Sequence, residues 1–358
     1  MTLAEVARHR LTNQQLANAK LKSAGDMVKW LGAVQAQEYA QTKWGLGLRI
    51  KNLSDHDIEK DFTDGKIIRT HLLRPTWHFV SAEDVRWLLM LTGPRVNAVN
   101  AYMYRQLELD NIIFKRSHKI LEKSLQGGKQ LTRETINESF RRNKIEAEGH
   151  RLSYIMMYAE LAGLICSGAR QGNQFTYTLL DERVPASKSI NRDEALAELT
   201  KRYFTSRGPA TIKDFSTWSG LTLAECKKGI EIKKTMFEKE LIDGIEYYFT
   251  KGLSISKKLI QDILLLPIYD EFIMAYKDRS ALRMFIDSLK STAKFHYNCM
   301  VVYDGQIIGT WKRLITGNTI DVRFNFFHPL DKNQSKALRR AVHRLEDFTN
   351  MKVNDVSK

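Results

Sequence analysis

Two amides flank one small residue in Gln35-Ala36-Gln37, with Glu38, Tyr39, Gln41 and Trp44 close behind. A Gln side chain accepts through its oxygen and donates twice through its nitrogen. Such a pair can hold a water and anchor a phosphate, but an amide is not an effective general base. Taken alone the tripeptide says little, because Gln is common on helix surfaces. Glu38 is a nearby carboxylate that ranks below the glutamines, since a helix-end Glu is ordinarily solvated. A second group is basic and aromatic: Arg69, His71, Arg74, Trp77 and His78 lie within Ile67 to Val80. Alternating residues of a strand share a face, so Arg69 and His71 point the same way, as suits stacking and phosphate contact. The competing reading makes Trp77 a core residue and His78 a satisfied edge residue.

The elements that must position these groups follow one plan three times: helices, a short turn, another helix, then two strands. In the first, Met27, Trp30, Leu31 and Val34 fall at helical spacing, placing the glutamines at that helix's end. Residues two apart on a helix point about 200° apart, so a shared site requires the helix to stop or distort there. Ser54 caps a second helix to Asp61, and Ile67 to Val80 forms strands turning at Arg74-Pro75-Thr76. In the second plan, Thr132 opens a helix ending near Arg142, and Tyr154 to Ile165 is helical. Gly168 to Asn173 then makes a basic hairpin tip before the strand Gln174 to Leu179. Arg170, Gln171 and Asn173 on that tip suit insertion into DNA or are a solvated turn. The third plan has helices over Asp193 to Tyr203, Thr211 to Trp218 and Thr222 to Ile230, with Gly220 in the turn. Its hairpin is Glu238 to Ile242 and Ile245 to Thr250. After Ser256 come strands at Val301–Val302, Ile307–Trp311 and Ile320–Phe327, a helix over Ser335–Phe348 and a frayed tail from Lys352 to Lys358.

Composition narrows the function. The chain has 358 residues, 43% apolar and 27% charged, which fits a soluble globular protein of two to three units. Lys and Arg number 56 against 41 Asp and Glu, giving +15, and the pI is near 9.6, so polyanions are the first partners to consider. Nothing reads as a membrane span or a secretory leader, and Cys166, Cys226 and Cys299 are too scattered for a disulfide framework, which suits a cytoplasmic chain. No zinc-site spacing, GxxxxGK[ST], GxGxxG or GxSxG occurs, so no cofactor or metal is expected.

Four motifs occur in a set order. They are Gln35-Ala36-Gln37, His71 to Val80, Leu266-Pro267-Ile268-Tyr269-Asp270-Glu271-Phe272 with Asp278-Arg279, and Gly309-Thr310-Trp311. Over essentially the whole chain this order resembles the bacterial winged-helix DNA glycosylases of the AlkZ-like family. The resemblance implies an α+β fold of three tandem winged-helix units, a C-terminal β-barrel-like domain and a basic concave face for duplex DNA. It also implies excision of bulky or cross-linked N-alkylated purines, with Gln35 and Gln37 matching the family's catalytic glutamine–apolar–glutamine pattern. The second position is aspartate in the broader cross-link-removing branch, and this chain has Gln37 there.

On this reading the units are 1–125, 126–190, 191–255 and 256–358. The chain acts as a monomer on duplex DNA, without a membrane. Arg69, His71, Arg74, Trp77, His78, Arg170, Gln171, Asn173, Lys312 and Arg313 are candidate DNA contacts. Tyr269, Asp270 and Arg279 are read as structural, a buried Asp–Arg pair tying the last domain to the others. No lysine is distinguished by context, so a Schiff-base lyase is not expected. The competing function is a non-enzymatic winged-helix DNA-binding protein, a regulator or damage sensor.

Overall fold

The computed structural model describes residues 1–186, 189–252, 259–282 and 298–355. The expected domain boundary near 255 lies outside them. The first segment holds α1 (Leu3–Asn13), α2 (Ala24–Leu31), β1 (Val34–Gln35), α3 (Tyr39–Gly47), α4 (Asp55–Thr63), β2 (Ile67–Leu72) and β3 (Arg74–Ser81). Two long helices follow, α5 (Val85–Gln106) and α6 (Asn111–Leu125). The second segment has β4 (Leu131–Thr132), α7 (Arg133–Arg142), α8 (Gly149–Leu161), β5 (Ile165–Ser167), β6 (Thr176–Leu179) and α9 (Leu180–Arg183). The third has α10 (Arg192–Arg207), α11 (Ile212–Ser219), α12 (Leu223–Ile232), β7 (Phe237–Ile242) and β8 (Ile245–Thr250). The last has β9 (Ile263–Leu266), α13 (Glu271–Met274), β10 (Cys299–Tyr303), β11 (Gln306–Thr316), β12 (Thr319–Phe326), α14 (Lys332–Thr349) and β13 (Lys352–Asp355). The architecture is α+β.

Local chemistry sets most boundaries. Ser54, Thr132, Thr211 and Thr222 each accept from a backbone N–H in the first turn of the helix that follows them. Gly32, at φ 75°, ends α2, so Val34 belongs to β1 and not to the expected helix. Ile165 likewise belongs to β5, because α8 stops at Leu161. The expected turn at Arg74–Thr76 is displaced: Leu73, at φ 57°, bends the chain, and Arg74 already belongs to β3.

Among the described residues four sheets form, in the orders β1-β3-β2, β4-β6-β5, β7-β8 and β13-β12-β11-β10-β9. The last is an open five-stranded sheet among the described residues rather than a closed barrel. Residues 352–355 of the expected tail pair in parallel with β12 as its edge strand, because Thr319 to Val322 still offer free ladder groups there. Residues 356–358 lie outside the described set.

The β1-β3-β2 sheet is covered on both faces. Val34, Ile67 and Phe79 join Leu265, Trp311 and Phe348 in one core, so the first and last segments share their interior. Trp44 Nε1 and Trp311 Nε1 donate to the Leu265 and Leu266 carbonyls of β9 at 2.7 and 2.8 Å. On the other face Ile68, Leu72 and Val80 pack with Leu88 of α5 and with Leu199, Tyr203 and Trp218 of the third segment. A separate core built from α6, α7 and α8 supports the second segment.

Candidate active site

The glutamine pair sits at the edge of the covered sheet. β1 pairs antiparallel with β3, Val34 opposite Phe79 and Gln35 opposite His78, and Ala36 N–H donates to the Trp77 carbonyl at 2.7 Å. The chain then leaves the sheet and enters α3 at Tyr39. Gln35 therefore ends a strand and Gln37 lies in the bend that follows it, and neither is on a helix because α2 stops at Leu31.

Gln35 is anchored at three points. Its N–H donates to Glu271 Oε1 at 3.0 Å, its carbonyl accepts from Thr42 Oγ1 at 3.0 Å, and its Oε1 accepts from Arg74 Nη2 at 3.0 Å. Gln37 is exposed and its side chain has no hydrogen-bond partner among the described residues. Glu38, also exposed, precedes α3 without capping it.

A buried ion pair lies beneath. Glu271 and Arg207 are both 0% exposed, and Arg207 donates to Glu271 Oε2 through Nη2 at 2.6 Å and Nε at 3.1 Å. Arg207 also donates to the Leu31 and Ala33 carbonyls, which carry the chain into β1, and Trp218 Nε1 donates to Glu271 at 2.9 Å. Burial pushes the Glu271 carboxyl up, but the charge and hydrogen bonds of Arg207 and the Gln35 N–H outweigh it and hold it below the usual range. Local patterns do not single out Glu271 or Arg207 for this task. The only signal is that Glu271 directly follows Asp270 in the third motif.

Arg69 occupies an aromatic slot. Its guanidinium lies 4.3 Å from the Trp77 ring and 4.3 Å from the Phe175 ring, and its Nε donates to the Ala36 carbonyl at 3.0 Å. Burial lowers it to about 10, and it has no ion-pair partner among the described residues. Trp77 is half-buried and also packs on His71, ring centres 4.5 Å apart.

Several expected DNA contacts are placed elsewhere. His71 is buried and its Nδ1 meets the Glu160 carboxylate of α8, so it joins the first segment to the second. His78 is 0% exposed, because α5 and the third segment cover that face, and its Nδ1 donates to the Thr76 carbonyl at 2.9 Å. Burial, then the charge of Arg74, depresses His78 well below 6.5, so the ring is neutral. Arg74 is half-buried and bonded within the protein. Arg170 folds back over Tyr39, 5.1 Å from the ring centre and 3.7 Å from Glu59, leaving Gln171 and Asn173 as the exposed part of that tip. Lys312 is exposed and Arg313 half-buried, on the stretch of β11 that among the described residues pairs with β12 alone. Asp270 does tie segments together, but its partner is Arg49 (2.8 Å to each oxygen) and not Arg279, whose Nε donates to the Ile273 carbonyl.

The family model for AlkZ-like DNA glycosylases matches residues 28–348. The chain belongs to the AlkZ-like DNA glycosylase family. In this AlkZ-like chain the matched stretch contains the glutamine pair and all the residues that hold it. An interstrand DNA cross-link repair glycosylase from Streptomyces sahachiroi is 24% identical over 344 residues, covering 86% of this chain and 87% of that protein. The solved structure of the Streptomyces sahachiroi DNA glycosylase AlkZ superposes with a TM-score of 0.80, covering 99% of this chain and 100% of that one. At 19% identity this likeness establishes the fold. Among the described residues no helix is long and apolar enough to cross a membrane, and no group of three or more His, Cys, Asp and Glu is placed to hold a metal.

Proposed function

We propose that this AlkZ-like glycosylase is monofunctional and hydrolyses the N-glycosidic bond of cationic N7- or N3-alkylated purines in duplex DNA, bulky and cross-linked adducts included. The carrying observation is the edge at Gln35 and Gln37, one amide anchored from below and the other open to solvent two residues on. Alkylation makes the purine cationic and already a good leaving group. The enzyme then needs a positioned water and stabilisation of an oxocarbenium-like sugar more than a strong acid. Two neutral amides suit that task and stay slow on undamaged bases. Glu38, the exposed carboxylate next in sequence, assists by favouring the developing positive charge.

The three segments act as winged-helix units over 1–125, 126–190 and 191–255, with 256–358 as the sheet domain. Together they lay one chain, as a cytoplasmic monomer, along the duplex. The charge of +15 supplies the phosphate contacts. Arg69 is buried between Trp77 and Phe175 and bonded to the Ala36 carbonyl, so it supports the edge from behind and is not itself an exposed phosphate contact. Gln171, Asn173, Lys312 and Arg313 contribute further contacts. Base release from a duplex carrying one N7-methylguanine, beside Gln35→Ala and Gln37→Ala with DNA affinity checked, tests the reading. Release by wild type, lost in both variants while binding persists, supports it. Tight binding with no release from any N7 adduct moves the protein to a non-enzymatic damage sensor.

A further inference from the structure

The two amides are not equivalent. Gln35 is held by an arginine, whereas Gln37 is held by nothing among the described residues. Arg74 follows the Leu73 bend, and its Nη1 donates to the Trp218 carbonyl at 2.8 Å and the Thr217 carbonyl at 3.5 Å. These are last-turn carbonyls of α11, which a helix leaves without internal partners. Gly220 makes the approach possible: it sits at φ 72°, and a Cβ there would lie 2.1 Å from the Leu73 carbonyl oxygen. The other arm of the guanidinium, Nη2, donates to Gln35 Oε1 at 3.0 Å. A guanidinium carries only donors, so the amide atom facing it must be the oxygen. The NH2 of Gln35 is thereby turned away from Arg74 and has no partner among the described residues. The Gln35 backbone is bonded on both sides, to Glu271 and Thr42, so movement of the strand does not re-aim the amide.

We propose that Arg74 is a positioning residue that fixes Gln35 as a hydrogen-bond donor to an oxygen of the damaged nucleotide, leaving Gln37 to accept from the attacking water. This deepens the glycosylase reading and rests on it. In the step itself the water oxygen bonds to C1′ as the C1′–N9 bond breaks. The bonding pair moves onto N9 and discharges the purine cation, and the water's proton passes to bulk solvent. Gln37, hydrogen-bonded to that water, orients it without taking the proton. The third segment thus sets the roles of the two amides through the end of α11.

The test has a stability arm and a kinetic arm. The first measures Tm for wild type, Gln35→Glu, Arg74→Met and the double variant. An oxygen facing Arg74 predicts that Gln35→Glu alone is tolerated, since a carboxylate still accepts from the guanidinium. The double variant then loses more than the sum of the singles, because its carboxylate is left without that partner. The second arm measures single-turnover base release from an N7-methylguanine duplex, with DNA affinity alongside. Gln35→Glu, which cannot donate, should fall about 100-fold at unchanged affinity. Arg74→Met should lower the single-turnover rate about tenfold or more with DNA affinity within about threefold, and Arg74→Lys, which keeps a donor, should recover part of the loss. Additive Tm changes would overturn the contact, and wild-type release by Gln35→Glu would overturn the donor role. No release by wild type itself sinks the glycosylase reading and the donor role together, while the stability arm still reports separately on the Arg74–Gln35 contact.

Discussion

The β2–β3 and β7–β8 hairpins close the first and third repeats of one sequence plan, yet the molecule treats them differently. Every residue of β2 is buried, and β3 is buried from His78 onward. In β7 only the two end residues are buried, and in β8 only Tyr247. The polar groups follow suit. His71 meets Glu160, His78 is sealed in, and Arg74 is divided between Gln35 and α11. On β7–β8 the corresponding pair is Lys239 with Glu246, with side chains 62% and 42% exposed. The difference comes from what surrounds each ladder. The first has a third strand and a core on each face, whereas the second is a lone two-stranded ladder that packs on α10 through Phe237 and on α1 through Ile242 and Tyr247. A hairpin enclosed in this way can hold the proposed catalytic edge in register. An open one offers only charge and shape.

The contrast can be broken most forcefully at Glu271. Glu271→Ala leaves Arg207 buried without its carboxylate and should cost about 3–5 kcal/mol, read from the denaturant midpoint. A loss near zero would mean that the buried edge does not depend on its ion pair. Gln37→Ala should instead leave the midpoint where it is and, on the proposed function, cut base release by about 100-fold, since an exposed amide adds little stability.

A smaller effect is expected from pH. The unfolded His78 takes a proton near 6.5, and the folded one only well below that. Its contribution to stability is complete above pH 6.5 and declines as the pH drops below it, by about 1.4 kcal/mol per unit for one such group. His9 and His118 are also lowered by burial, so His78→Gln should reduce that slope between pH 7 and 5 without abolishing it. An unchanged slope would place the proton uptake elsewhere. The smallest effect belongs to the open hairpin: Lys239→Ala should change the midpoint by less than about 0.5 kcal/mol.

The sequence was most legible where the signal was local. Thr132, Thr211 and Thr222 cap helices within four residues, and Asp243-Gly244 closes its hairpin, so those elements could be read directly. The glutamine pair was found by its resemblance to a family, and the strand that carries it was hidden because helical spacing ran on through Val34 past Gly32. Partners were least legible. Asp270 was expected beside Arg279, a near neighbour, but meets Arg49 across 221 residues, and no local pattern encodes that distance. The burial of His78 depends on α5 and the third segment, so a strand pattern made it look like an edge residue.

The span between Gln35 and Glu271 also bears on synthesis. The hydrogen bond joins residues 236 positions apart in the chain. At roughly 5–20 residues per second, the ribosome releases Glu271 roughly 12–47 s after Gln35. Until then the nascent chain carries both glutamines without the carboxylate that pins the first of them. The core shared by the first and last segments is equally incomplete. If the glutamine pair is the catalytic site as proposed, competence arrives late in translation, and chains cut short before Glu271 should fail as enzymes even though the pair is intact.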